Sequence, residues 1–148
     1  MDTLNNTTLD TSTAPVKAVL NELLRAQEDG DIKAFSKCFA QDKNTINIGT
    51  DIDEIWIGWE DFYNWMKDAI LHKLDYTISE KNTRIFIGKN NDVAWYSQLL
   101  DTCFETKSEP VRIEGFRHTG VLEKRDNKWL IVQSHISVPD NAFPSEEY

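Results

Sequence analysis

Residues 111–139, VRIEGFRHTGVLEKRDNKWLIVQSHISVP, hold two long β-type runs separated by Arg125-Asp126-Asn127-Lys128. Alternating apolar and polar residues on both sides of a short polar turn predict an antiparallel hairpin. Asp and Asn tolerate turn conformations, and Asn enters the left-handed region at modest cost. Two registers are open. A two-residue loop of Asp126 and Asn127 sets His118 opposite His135. A three-residue loop, with Asn127 left-handed as a bulge residue, sets Arg117 opposite His135. A slip of one residue exchanges the two faces, so the register decides which side chains share a surface. The second register segregates the pairs better and is the one expected. It gathers Phe116/Ile136, Gly120/Val132 and Leu122/Leu130 on an apolar packing face. Its other face carries Arg117/His135, Thr119/Gln133, Val121/Ile131 and Glu123/Trp129, the mixed character of a pocket wall.

The rest of the chain supplies helices first and strands later. Val16, Val19, Leu20, Leu23 and Leu24 recur at helical spacing over residues 15–26, with Thr13 as N-cap, Pro15 in the first turn and Gly30 as the stop. Asp31 caps a short second helix, residues 32–39. Residues 43–48 turn extended, and residues 50–59, TDIDEIWIGW, hold a short strand ended by Gly58. A third helix follows over residues 60–71 or a little beyond, with Phe62, Tyr63, Met66, Ile70 and Leu74 as its apolar positions. Strands are predicted over residues 76–87 and 92–104, separated by the turn Gly88-Lys89-Asn90-Asn91. In the second of these, Val93, Trp95, Ser97, Leu99 and Asp101 share one face, and Ala94, Tyr96, Gln98 and Leu100 share the other. Helices segregated from antiparallel strands define an α+β domain, here helices laid on a strongly bent antiparallel sheet. Residues 1–13 read as a polar lead-in, residues 14–140 as one domain, and residues 141–148 as a polar tail.

Composition narrows the function classes. A net charge of −9 excludes the basic footprint that nucleic acid or an anionic membrane requires. Cys38 and Cys103 belong to no CxxC or Cys/His cluster, which fits free thiols in a reducing, cytoplasmic setting. No apolar run approaches a membrane span, and the N-terminus lacks the basic and apolar regions of a secretory signal. His72 and His118 sit in no metal-ligand spacing, so no metal is expected. No phosphate-binding or dinucleotide motif occurs, so no cofactor is expected.

The helix running into EDGDIKAFSKCFAQD, the IWIGWEDF segment, the NNDVAWYS strand and the FRHTGVLEKRDNKWLIVQSHIS hairpin resemble the SnoaL-like branch of the NTF2-like superfamily. The resemblance covers roughly residues 16–139. It implies an NTF2-like/cystatin-like cone that pairs through the outer face of its sheet and binds varied small molecules inside. Members include isomerases, polyketide cyclases, dehydratases and non-catalytic association modules, so fold does not settle function. In many members an arginine, the threonine two residues on and a late histidine point into the cone; these match Arg117, Thr119 and His135. The Tyr and two acidic residues of ketosteroid isomerases have no match. The late strand offers His135 where cyclases of this type are expected to use an acidic residue.

These residues frame the expected site. Arg117 beside His135 would hold a ligand carboxylate by charge-assisted hydrogen bonds, and His135 would act as catalytic acid or base. Thr119 and Gln133 would add hydrogen bonds, and Trp56, Trp95 and Tyr63 would stack on a flat or greasy ligand. The plainer alternatives are Arg117 paired with Asp101, His135 bonded to a carbonyl, and aromatics that only fill the core. The expected function is therefore binding of a small, partly apolar carbonyl- or carboxylate-bearing molecule in the cone, with or without cofactor-independent acid/base catalysis of isomerase, cyclase or dehydratase type. The competing expectation is a non-catalytic homodimeric module. A homodimer is expected either way, because the face of Phe116, Leu122, Leu130, Val132 and Ile136 needs covering.

Overall fold

The structure is a computed structural model that describes residues 12–71 and 75–140, with the side chain of residue 71 left aside. Most of the lead-in, the tail, His72 and Leu74 lie outside the described residues. Helix α1 (Ala14–Asp29) ends where Gly30 turns left-handed at φ 70°. Thr13 stands at its N-cap without a side-chain cap bond. Asp31 caps α2 (Ile32–Lys37) by accepting the Ala34 N–H at 3.0 Å. The short strands β1 (Ile46–Ile48) and β2 (Ile55–Ile57) form an antiparallel pair before α3 (Trp59–Leu71). Then β3 (Tyr76–Ile87), β4 (Val93–Phe104), β5 (Val111–Arg125) and β6 (Lys128–Ser137) run as an antiparallel meander.

The six strands form one sheet in the order β2-β1-β6-β5-β4-β3. The pair β1–β6 is parallel, which makes the sheet mixed where an antiparallel one is predicted. The helices cover its inner face, and the core between them centres on Leu20, Leu24, Phe35, Leu122 and Ile131. Charged groups of α1 also fasten the edge strand. Glu28 Oε2 accepts the Ile78 N–H at 2.6 Å, and Arg25 Nη2 donates to the Ile78 carbonyl at 2.6 Å. Among the described residues, no helix is long and apolar enough to cross a membrane.

Three irregularities bend the long strands, as extra residues on one side of a ladder do. One lies between Lys81 and Arg84, with Asn82 at φ 54°. A second sets Leu100–Thr102 against Phe116–Ile113, and there Asp101 Oδ1 accepts the Gly115 N–H at 2.9 Å.

The third corrects the predicted hairpin. Asp126 (φ 51°) and Asn127 (φ 64°) are both left-handed, and Arg125 pairs with Lys128. This is a two-residue loop whose twist matches that of the strands, in place of the expected three-residue one. Leu122 pairs with Ile131 and Val121 with Gln133, so Val132 is the extra residue and Thr119 meets His135. Without that bulge His135 would share the buried face of His118; with it, Ile136 takes the inner face and His135 is exposed. Burying an isoleucine instead of an imidazole is the physical reason.

The apolar hairpin face is likewise corrected. Phe116 and Leu122 are buried, Ile136 packs with Phe116, and the chain's own helices cover them. Leu130 and Val132 are half-buried. The face that was expected to need a partner copy is thus largely the floor of the core.

Candidate functional site

A cavity of about 290 Å³ lies between the inner face and the helices. Its walls are mostly apolar: Leu23 and Leu24 of α1, Phe35 of α2, Phe62, Trp65 and Met66 of α3, and Trp56 of β2. Trp56 packs on Phe62 and Trp65 with ring centroids at 5.1 and 4.5 Å. The polar lining is Gln27, Asn47, Thr50, Glu54, His118 and Ser134.

Two polar groupings stand on the sheet side. In the first, Thr83 Oγ1 donates to Gln98 Oε1 at 2.9 Å, which leaves the Gln98 amide N–H₂ to donate to His118 Nδ1 at 3.1 Å. The proton of neutral His118 then sits on Nε2 and is donated to Tyr96 Oη at 3.0 Å. Burial holds the His118 imidazole down at about 4, so it is uncharged at neutral pH. Burial also pushes the Tyr96 phenol far above its ordinary range. Both ring nitrogens of His118 are thus engaged by protein.

In the second grouping, Ser134 Oγ donates to Asn47 Oδ1 at 2.5 Å. Asn47 is buried, and its Nδ2 has no hydrogen-bond partner among the described residues. At the rim, Glu54 Oε1 accepts the Asp51 N–H at 3.2 Å, and the Gly49 N–H donates to the Glu54 carbonyl at 2.8 Å. Among the described residues, no three His, Cys, Asp or Glu side chains gather as a metal site.

The predicted site residues separate. Trp56 lines the cavity. Arg117, Thr119 and His135 are exposed on the opposite, outer face, and Gln133 is half-buried there beside Val121. Trp95 is also outside, 47% exposed and stacked on Phe86. Tyr63 packs against Trp59 on α3 and borders shallow surface grooves outside the cavity. Asp101, the carboxylate considered for Arg117, pairs with Lys81 at 3.0 Å. Alternation along β5 puts residues 116, 118, 120 and 122 on one face, and the larger apolar members decide that this face is inner. None of the cavity's polar lining residues stood among the predicted ones; on the sheet side these are His118, Asn47 and Ser134. For His118 the signal was its place between Phe116 and Leu122. Asn47 and Ser134 carried none, since their pairing depends on the parallel β1–β6 contact.

A mixed, curved sheet wrapped around helices over an inner cavity defines the NTF2-like class of proteins. The chain belongs to the SnoaL-like family: the SnoaL-like domain matches residues 16–141. Solved structures agree on the fold. An NTF2-like superfamily protein from Salmonella enterica superposes with TM-score 0.75 at 16% identity, covering 92% of this chain and 96% of that one. A candidate dehydratase of the NTF2-like family from Streptomyces avermitilis gives TM-score 0.76 at 11% identity, covering 86% and 96%. A candidate calcium/calmodulin-dependent protein kinase II association domain from Xanthomonas campestris gives 0.74 at 19% identity, covering 90% and 91%. Comparison with curated proteins returns no match.

Proposed function

We propose that the protein binds one small, mainly apolar and uncharged molecule in its cavity, with an acceptor oxygen of that molecule on the Asn47 amide. The observation that carries this reading is the buried Asn47 Nδ2 without a partner in the cavity wall. A buried donor left unpaired costs about 1–3 kcal/mol, which a ligand carbonyl would offset. No Lys or Arg lines the cavity among the described residues, and His118 is neutral, so a ketone or amide suits it better than a carboxylate. The volume stands at the small end of the ~300–1,000 Å³ typical of small-molecule sites.

Turnover is a second reading. The fold neighbours include both a candidate dehydratase and a candidate association domain, and one fold hosts both kinds of role. Acid/base chemistry inside the cone would fall to Glu54, because both nitrogens of His118 are already bonded. Self-association through the outer face is also proposed, resting on exposed Trp95 and Phe86 in place of the hairpin's apolar face. Sedimentation of wild type and Trp95→Glu tests it, and a wild-type monomer at all concentrations would refute it.

The test of binding is native mass spectrometry of gently purified protein with a thermal-shift screen of neutral ketones and size-matched carboxylates. Ligands that bind only the folded state raise the melting temperature. Ketones should do so, carboxylates should not, and Asn47→Leu and Trp56→Ala should each abolish the shift. An equal response to carboxylates, or a response that survives both substitutions, would overturn the reading.

A further inference from the structure

We propose that the outer face of the sheet carries a groove for the phosphate group, built by Arg84, Arg117, Ser97 and Thr119. The ladder places these residues in two neighbouring rows. Arg84 of β3 pairs with Ser97 of β4, and Ser97 pairs with Thr119 of β5. One step along, Leu99 of β4 pairs with Arg117 of β5. Strands β3 and β5 flank β4, so the two arginines approach from opposite sides across roughly 10 Å of sheet, two strand spacings. All four residues line one groove of about 220 Å³, with Asn82, Gln98 and Leu99 completing it.

The side chains are available. Arg84, Arg117, Ser97 and Thr119 are exposed, and none has a hydrogen-bond or ion-pair partner among the described residues. In a chain of net charge −9, two unpaired guanidinium groups at one groove mark a local reversal of sign. Asp101, two residues along β4 from Leu99, does not neutralise them. Its oxygens already take Lys81 at 3.0 Å and the Gly115 N–H at 2.9 Å.

The backbone contributes to the arrangement. Strict alternation from exposed Lys81 would turn residue 84 inward. The bulge at Asn82, left-handed at φ 54°, instead turns Thr83 towards Gln98 and sends Arg84 outward beside Ser97. The chemistry then selects the ligand. Guanidinium forks match the paired oxygens of phosphate, and two of them match a dianion. The Ser97 and Thr119 hydroxyls can donate to the oxygens that remain. A planar monocarboxylate would leave one fork unmatched.

The site lies on the face opposite the cavity, so nothing in it depends on the cavity reading; it adjoins Trp95 and Phe86 on the outer face, so phosphate binding and self-association through that face would compete. The test is titration calorimetry of the full chain at fixed ionic strength, with inorganic phosphate, phenyl phosphate, acetate and chloride. Expected is saturable one-site binding of phosphate or its monoester in preference to acetate and chloride. Arg84→Gln and Arg117→Gln should each weaken it about tenfold or more, the loss of charge-assisted hydrogen bonds. Asn47→Leu should leave it unchanged. Tighter binding of phenyl phosphate assigns the groove to phosphate esters, and equal binding assigns it to the free ion. No saturable binding, equal binding of acetate, or unchanged affinity in both arginine variants would overturn the proposal. Both arginines are exposed, so the variants should keep the wild-type circular dichroism and melting temperature.

Discussion

His118 and Tyr96 are bonded across the inner face of the sheet, Nε2 to Oη at 3.0 Å, with their rings edge-on at 69°. The contact makes a titratable group part of the core, and stability should follow it. Burial lowers the His118 imidazole to about 4, while the unfolded chain presents an ordinary histidine near 6.5. Between those values the unfolded state binds a proton that the folded state refuses. The contribution is therefore complete above about pH 6.5 and is lost as pH falls towards about 4, amounting to about 3 kcal/mol. Urea unfolding at pH 7 and pH 4.5 reads the loss. A His118 ring that titrates near 6.5 by NMR would refute it. Asp42 and Asp101 act lower, since hydrogen bonds from Arg125 and Lys81 hold their carboxyls below the usual range. Their share is present above the unfolded value and is lost only as pH falls below about 4.

Gly120 lets β5 approach its neighbours. A Cβ there would collide with the Gln133 carbonyl oxygen and stand 2.7 Å from Tyr96 Oη, with Tyr96 Cε1 at 2.8 Å. Gly120→Ala should destabilise by about 1–3 kcal/mol, the range for overpacking a tight core. Adding Tyr96→Phe removes only the second clash, so the double variant should recover little. Full recovery would show that the Gln133 backbone yields freely.

Glu28 reaches 2.6 Å from the Ile78 N–H with a side chain only 18% exposed. Glu28→Ala should cost about 2 kcal/mol, as for hydrogen bonds to charged groups, and should speed amide exchange at Ile78. Arg25 is half exposed, so Arg25→Ala should cost about 1 kcal/mol or less. The reverse ranking would mean that the strand is held through its carbonyl instead.

Burial, with the Glu22 charge adding to it, pushes the Cys38 thiol up to about 12, while Cys103 is only half-buried. The thiolate is the reactive form. Iodoacetamide at pH 8 should modify Cys103 in the native protein and Cys38 only on unfolding. Mass spectrometry of the digested protein distinguishes the two, and native labelling of Cys38 would count against this packing.

Local order was legible because local chemistry sets it. The Gly30 stop, the Asp31 cap, the Gly88 turn and the alternation of β4 appear in the structure where residue type places them. The candidate site was less legible, because membership of a face is a relative statement. Residues 116–122 divide correctly into two sets, but alternation alone does not say which set meets the helices.

What the sequence by itself determined is the α+β order of elements, the SnoaL-like family and the two faces of each long strand. The order of elements and the two faces follow from periodicity and turn chemistry within a few residues, and the family from the likeness of whole segments to its members. The tertiary structure alone decided which face encloses the cavity, that Val132 bulges so that Ile136 replaces His135 inside, and that Asn47 meets Ser134 through a parallel pairing. Each of these compares the burial of competing side chains across strands far apart in sequence. That comparison exists only once the sheet has closed on its helices.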